Sequence, residues 1–139
     1  MLEQLVHTVE SGLLGLGRHL WQLSPREQLQ EDIDHLTAQL HQRRAELTRA
    51  RMELAAMKRR LRDKPTEAAL LHSRIETALR NRQPEPAYRD ALELDQIRQT
   101  LASDQEACPR LEQACWSLQF LIRQLERRLG RLQEQLYPS

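Results

Sequence analysis

The 139-residue sequence has few aromatic side chains, two cysteines and no long apolar run. Aromatic residues make up 4% of the chain and charged residues 29%, a composition that predicts a thin core rather than a compact globule. Because no stretch of about 18 apolar residues occurs, no transmembrane helix is expected. The first 23 residues have neither the basic start nor the small-residue cleavage site of a secretory signal, so the expected location is the cytoplasm.

Groups that carry chemistry are scarce and scattered. The five histidines have no neighbouring cluster of cysteine or carboxylate with the spacing of a zinc site. Gly12, Gly15 and Gly17 follow no predicted strand and lack the Lys-Ser or Lys-Thr pair of a phosphate-binding loop. Cys108 and Cys115 are about 10 Å apart along a helix, too far for a disulfide within it, and are interpreted as small core residues. We expect no enzyme activity, metal or cofactor, and the net charge of +1 does not favour nucleic-acid binding.

Two long runs carry apolar side chains at alternating intervals of four and three residues, the heptad pattern of a coiled coil. The first run extends from Leu29 to Ala78 and the second from Leu94 to Leu136. Each run keeps its phase through a proline, Pro65 in the first and Pro109 in the second. This pattern predicts that each run is one long helix with a kink or local bulge at its proline.

The segment RNRQPEPA, residues 80–87, separates the two runs. Its prolines cannot continue a helix, which predicts a turn at residues 83–87 between helical arms 25–82 and 87–137. The first arm has 13 basic and nine acidic residues (+4), whereas residues 83–139 have seven and nine (−2). Nearly equal lengths and opposite charges favour an antiparallel hairpin within one chain.

Folding the arms together pairs positions whose numbers sum to about 169. Arg43, an exception in the apolar seam, is then expected opposite Glu126, and Lys64 is expected beside Asp104. Such pairs add little stability but help to fix the register. A parallel coiled coil formed by one arm from each of two chains is the alternative, and association of two hairpins into four helices is also open.

The sequence Ser24-Pro25-Arg26-Glu27 has the pattern of a capping box with proline in the first turn, so a helix is predicted to start at residue 25. The predicted fold class is all-α: an N-terminal amphipathic helix, 1–23, followed by a long antiparallel coiled-coil hairpin, 25–137. Three glycines each disfavour the first helix by about 1 kcal/mol, so it is expected to form when its apolar face meets a surface.

A membrane interface is one such surface, with the tryptophan near the headgroups. The residues predicted to bind membrane are Leu2, Leu5, Val6, Val9, Leu13, Leu16, Leu20 and Trp21. The alternative is that this face packs on the hairpin, on another subunit or on a partner protein.

Two further features indicate self-assembly. The segment MKRRLRDK, residues 57–64, is the densest basic patch, and two aromatic residues lie one helical turn apart beside the second seam. The corresponding candidate residues are Lys58, Arg59, Arg60, Arg62, Trp116 and Phe120. A solvated face for the basic patch and core packing for the aromatic pair are the simpler interpretations.

The segments LVHTVESGLLGLGRHL, SPREQLQEDI and ETALRNRQPEPAYRDALELDQIRQTL, in this order, resemble the phage shock protein A family of bacterial membrane-remodelling proteins, relatives of ESCRT-III. The resemblance implies a short form of that family: a self-assembling, filament-forming scaffold, peripheral on the cytoplasmic face of the inner membrane, which stabilises or remodels the membrane. Its implied partners are membrane lipid, further copies of itself or a longer family member. The alternative function is a soluble coiled-coil adaptor or regulator that binds a partner protein.

Overall fold

The computed structural model describes residues 23–138, which form two helices, α1 (Pro25–Arg80) and α2 (Pro84–Leu136), and no strand. This confirms the predicted all-α class and helical hairpin for the described residues. The predicted amphipathic helix falls on residues 1–22, apart from Leu23, and so lies outside them. Helix α1 continues through Pro65 and α2 continues through Pro109, as the heptad phase predicts.

Helix α1 begins directly after a capping serine. The Oγ of Ser24 accepts a hydrogen bond of 3.1 Å from the backbone N–H of Glu27, and its carbonyl oxygen accepts one of 3.0 Å from Gln28. Pro25 occupies the first helical position, where the missing N–H costs no hydrogen bond. The helix therefore starts where the capping pattern predicts.

The turn is shorter than the sequence analysis predicts. Helix α2 begins at Pro84, not near residue 87, so only residues 81–83 connect the helices, and the predicted turn at 83–87 is corrected. Both Pro84 and Pro86 lie in the first turn of α2, where backbone N–H groups have no acceptor within the helix. The prolines stop the chain from extending α1, but they are compatible with starting α2.

Helix α1 ends in a Schellman motif that uses an arginine where glycine is usual. The N–H of Arg82 donates to the carbonyl of Leu79 at 3.1 Å, and the N–H of Gln83 donates to the carbonyl of Ala78 at 2.8 Å. Arg82 has φ 56°, the left-handed conformation that this motif requires. A side chain with a Cβ is disfavoured there by roughly 1–2 kcal/mol.

The described residues fall into two compact units. One, the terminal unit, comprises residues 23–44 and 120–138, and the other, the middle unit, is Ala45–Gln119. Buried apolar side chains of both units occupy the heptad seam. They are Ile33, Leu36, Leu40, Ile122 and Leu136 in the terminal unit, and Leu47, Met57, Leu71, Ala78, Ala87, Leu94, Ile97, Cys108 and Cys115 in the middle unit.

Within the middle unit the two helices run antiparallel. Leu71 of α1 forms a buried cluster with Leu94 and Ile97 of α2, and three partly buried residues pack against it, Ala68, Ile75 and Leu101. The numbers in the pair Leu71 and Ile97 sum to 168, close to the predicted value. Among residues 23–138, no helical segment has the length and apolar character needed to span a bilayer.

Replacing Arg82 with glycine should stabilise the hairpin. Glycine adopts the left-handed conformation without a Cβ penalty, and part of the gain is offset by its greater freedom in the unfolded chain. We expect Arg82→Gly to raise the free energy of unfolding by about 0.5–1 kcal/mol in urea titrations followed by circular dichroism. The matched control, Arg98→Gly within α2, should lower it by about 1 kcal/mol. A loss of stability in Arg82→Gly would contradict the role assigned to this position.

Candidate interaction surface

Two aspartates of α2 are buried in the seam of the middle unit, and each is paired with an arginine of α1. The guanidinium of Arg60 donates two hydrogen bonds to Asp104, from Nε at 2.8 Å and from Nη2 at 3.0 Å. Arg74 Nη2 donates to Asp90 Oδ1 at 3.1 Å. Each carboxylate is therefore buried beside a cation, which compensates for the hydration that the carboxylate loses.

The hydrogen bonds from Arg60 lower the pKa of Asp104, although burial of the carboxyl group acts in the opposite direction. This geometry corrects the predicted pairing, since Lys64 lies 2.9 Å from Glu67 on its own helix instead of pairing with Asp104. The Asp104 side chain is 8% exposed and that of Arg60 40%. The carboxylate is thus the buried member of the pair, and the guanidinium reaches it from the edge of the seam.

The two ion pairs specify one register of the helices. The arginines are 14 residues apart and so are the aspartates, so both pairs belong to the same alignment. A slip of one heptad would place Asp104 opposite Glu53 or Glu67, according to its direction, and one of these slips would also place Asp90 opposite Glu67. Each alternative buries a carboxylate beside another carboxylate, which disfavours it.

Replacing Arg60 and replacing Asp104 should have different effects on the stability of the hairpin. Arg60→Met leaves the Asp104 carboxylate buried without its cation and should lower the midpoint of urea unfolding at pH 7. Asp104→Leu places an apolar side chain in the seam and releases Arg60 towards solvent, so it should leave the midpoint unchanged or raise it. If Asp104→Leu proved less stable than Arg60→Met, burial of the Asp104 carboxylate would not be the destabilising part of the pair.

The same pair predicts a pH dependence. Because the folded pKa of Asp104 is lowered, its contribution to stability is complete above the unfolded pKa of about 3.9 and is lost as the pH falls through the folded value. The stability difference between the wild type and Arg60→Met should therefore shrink as the pH is reduced below about 4. Urea midpoints measured between pH 7 and pH 3 test this, with Arg98→Met as a control that shows no such convergence.

In the terminal unit, two cross-helix contacts made by arginines involve exposed side chains. Arg44 Nη2 lies 2.7 Å from Glu126 Oε2, so the arginine that pairs with Glu126 is the neighbour of the predicted Arg43. The guanidinium of Arg26 lies 5.9 Å from the centre of the Tyr137 ring, in cation–π geometry. Exposed contacts of these kinds contribute up to about 1 kcal/mol each, so they support the pairing of the helices only weakly.

Cys108 and Cys115 are both buried, and neither forms a disulfide. The thiol of Cys108 lies 3.6 Å from Glu112 Oε1 and donates to it. Burial, followed by this carboxylate, raises the pKa of the Cys108 thiol. No group of three histidine, cysteine or carboxylate side chains in residues 23–138 is arranged to hold a metal ion.

The Cys108 thiol should resist alkylation in the folded protein. Its raised pKa reduces the thiolate fraction, and its burial restricts access of the reagent. We expect iodoacetamide at pH 7.5 to modify Cys108 at least about tenfold more slowly in the native protein than in 6 M urea, as measured by peptide mass spectrometry. Similar rates in both conditions would mean that the seam opens readily around this residue.

The basic candidates for self-assembly have different environments. Lys58 Nζ lies 3.9 Å from Glu112 Oε2, and Arg62 pairs with the adjacent Asp63, whose pKa its hydrogen bond lowers. Arg59 is exposed. Because Arg60 is held by Asp104 within the chain, we leave it out of the surface offered to other molecules.

An open groove of about 270 Å³ runs along one side of the middle unit. Trp116 stands at this groove with 65% of its surface exposed, although core packing is the simpler prediction for it. The groove is lined by Arg51, Leu54, Lys58, Glu112, Cys115, Trp116 and Gln119. It therefore combines an exposed indole with cations from α1 and a carboxylate from α2.

The other predicted residues divide into two sets. Phe120 belongs to the terminal unit and is 61% exposed. The eight residues predicted to bind membrane all fall outside the described part of the chain.

Sequence reasoning did not identify Arg74, Asp90 or Arg51 as members of the surface or its support. Asp90 was detectable, because extending the second heptad run back from Leu94 reaches Asp90 and then Ala87, and both are buried. Asp90 also occupies the same heptad position as Asp104, two heptads earlier. The partner arginine of each aspartate was not detectable from the seam alone, because the arginines flank it.

Comparison with known proteins places the chain in no family, since no family model, no curated protein and no solved structure matches it.

Proposed function

We propose that the protein is a membrane-associated scaffold that self-assembles and stabilises or remodels the bacterial inner membrane. The observation that carries the self-assembly part is the exposure of Trp116, a large aromatic side chain that stands at a groove between two helices of opposite charge. Tryptophan is among the side chains that contribute most when an interface covers them.

The thin architecture supports the same conclusion. A two-helix unit buries one stripe of each helix, so large apolar side chains elsewhere stay in water until another molecule covers them. In the middle unit the exposed large apolar residues are Met52, Leu70, Leu79, Tyr88, Leu92 and Trp116. Singly scattered apolar side chains are ordinary at a protein surface, so the support for assembly comes chiefly from Trp116, which lies at the groove.

The membrane part of the proposal comes from the sequence of residues 1–23. Their apolar side chains repeat at helical spacing, and three glycines make the helix conditional on a surface that buries them. The resemblance in the order of parts to the phage shock protein A family supports the same function. Together these features support a scaffold tethered to lipid by its N-terminal segment.

A soluble adaptor is the second candidate, and the groove at Trp116 favours it. An open groove with a central aromatic side chain and charged edges also suits a helix of another protein. In that case residues 1–23 bind protein rather than lipid. The two candidates differ in whether lipid vesicles bind the chain without any other protein.

Vesicle binding should depend on the apolar side of residues 1–23. We expect the full chain to sediment with vesicles that contain anionic lipid, and Leu13→Glu with Leu16→Glu to reduce the bound fraction at least about tenfold, because both leucines belong to the apolar side of the predicted helix. The matched control, Gln4→Glu with Ser11→Glu, adds the same charge on the opposite side and should retain most binding.

Circular dichroism should show that both variants keep the helicity of the hairpin. If the wild-type chain ignores vesicles of every composition tested, the membrane part of the proposal is wrong and the adaptor is favoured. Negative-stain electron microscopy then tests assembly, since rods or rings support a scaffold and uniform small particles contradict it.

A further inference from the structure

The middle unit has two chemically different sides. When the seam residues of each helix are lettered a and d of the heptad abcdefg, positions e and b flank the seam on one side and positions g and c flank it on the other. Lys58 and Glu112 both occupy e and form an ion pair, whereas Arg60 and Arg74 both occupy g and hold the buried aspartates. The groove lies on the e and b side, which we call the groove side.

Charge on the middle unit is divided between its helices. The α1 part, residues 45–80, has nine basic and five acidic side chains (+4), and the α2 part, residues 84–119, has three basic and seven acidic ones (−4). On the groove side Arg51, Lys58 and Arg62 belong to α1, while Glu112 and Trp116 belong to α2. Counted over all e and b positions, the groove side has three basic and one acidic side chain on α1 (+2) and two acidic and one basic on α2 (−1). One molecule therefore presents two parallel strips of opposite sign.

We infer that the groove side of the middle unit is a homodimer interface in which α1 of each copy lies on α2 of the other. The inference rests on the self-assembly part of the proposed function, and it specifies the dimer interface as the first contact of that assembly. In this four-helix arrangement every helix is adjacent only to helices of opposite charge. The two Trp116 side chains are covered at the interface, and the two turns lie at the same end.

A second copy fits this surface better than an acidic or a basic partner. Either of those would face one helix of like charge, whereas a two-fold axis along the helices matches each strip with its opposite. The other face-to-face arrangement would place α1 on α1 and α2 on α2, so it brings each strip against a strip of like sign. Charge therefore selects both the partner and the orientation.

Reversing charges on one helix at a time tests the inference. Variant one carries Arg51→Glu and Arg62→Glu on α1, and variant two carries Asp95→Arg and Glu112→Arg on α2, all at e or b positions. Arg51, Arg62 and Asp95 are exposed, and Glu112 forms an exposed pair with Lys58 at 3.9 Å, so the hairpin itself should tolerate both variants. Circular dichroism and urea unfolding verify that it does.

Sedimentation velocity measures the association. Each variant alone should dimerise at least about tenfold more weakly than the wild type, because one helix of each copy then faces like charge. An equimolar mixture of the two should recover dimers, since both contacts again join opposite charges. The matched control, Arg49→Glu with Arg89→Glu, makes the same charge change at c positions on the other side and should associate like the wild type.

Orientation has an independent readout. Asn81→Cys in the turn should be joined between copies by a short bis-maleimide if the turns lie at the same end, with the wild-type chain as the control for its own two cysteines. Failure of the mixture to recover dimers, or the absence of cross-linking at position 81 in a dimeric sample, overturns the inference.

These outcomes are distinct from failure of the proposed function. Unchanged association in both charge variants, together with rods and vesicle binding by the wild type, would reject this interface and leave the scaffold intact. A wild-type chain that stays monomeric at every concentration would reject the interface together with the self-assembly part of the proposed function.

Discussion

The alignment of the two helices in the middle unit depends on two carboxylates in the seam, each of which is paired with an arginine of the other helix. Asp104 and Asp90 are costly groups to bury, and their partners compensate them in one alignment of the helices. The apolar seam alone, made of similar side chains at every turn, discriminates poorly between registers. The ion pairs therefore specify the alignment, whereas the leucines supply stability. That alignment determines which surface residues of the two helices lie next to each other in the middle unit.

The fixed register gives the groove its composition. It sets Lys58 against Glu112 on the groove side, and it keeps Trp116 beside cations of α1. A shift of one heptad would separate these groups by about 10 Å along the helix. The sequence of causes runs from two buried aspartates, through the alignment of the helices, to a surface with an exposed indole and two charged strips.

Much of the fold could be predicted from the sequence because heptad phase is a local and periodic signal that survives Pro65 and Pro109. The limits of the turn could not be predicted correctly, because Pro84 and Pro86 were interpreted as excluded from any helix. The first turn of a helix tolerates both prolines. The partner of Asp104 was also mispredicted. A sum of residue numbers predicts which residues lie at the same level along the hairpin, but not on which side of the helix each side chain lies. Arg60 flanks the seam and pairs with Asp104, whereas Lys64 pairs with Glu67 on its own helix.

The prolines in the interiors of α1 and α2, Pro65 and Pro109, occupy positions e and b, so both belong to the groove side. Proline has no amide hydrogen, so the carbonyl oxygens of Leu61 and Gln105, one turn earlier, receive no helical hydrogen bond from these positions. Each helix thus lacks one main-chain hydrogen bond on its groove side. No side-chain replacement elsewhere restores these bonds, so the gap is built into the backbone itself.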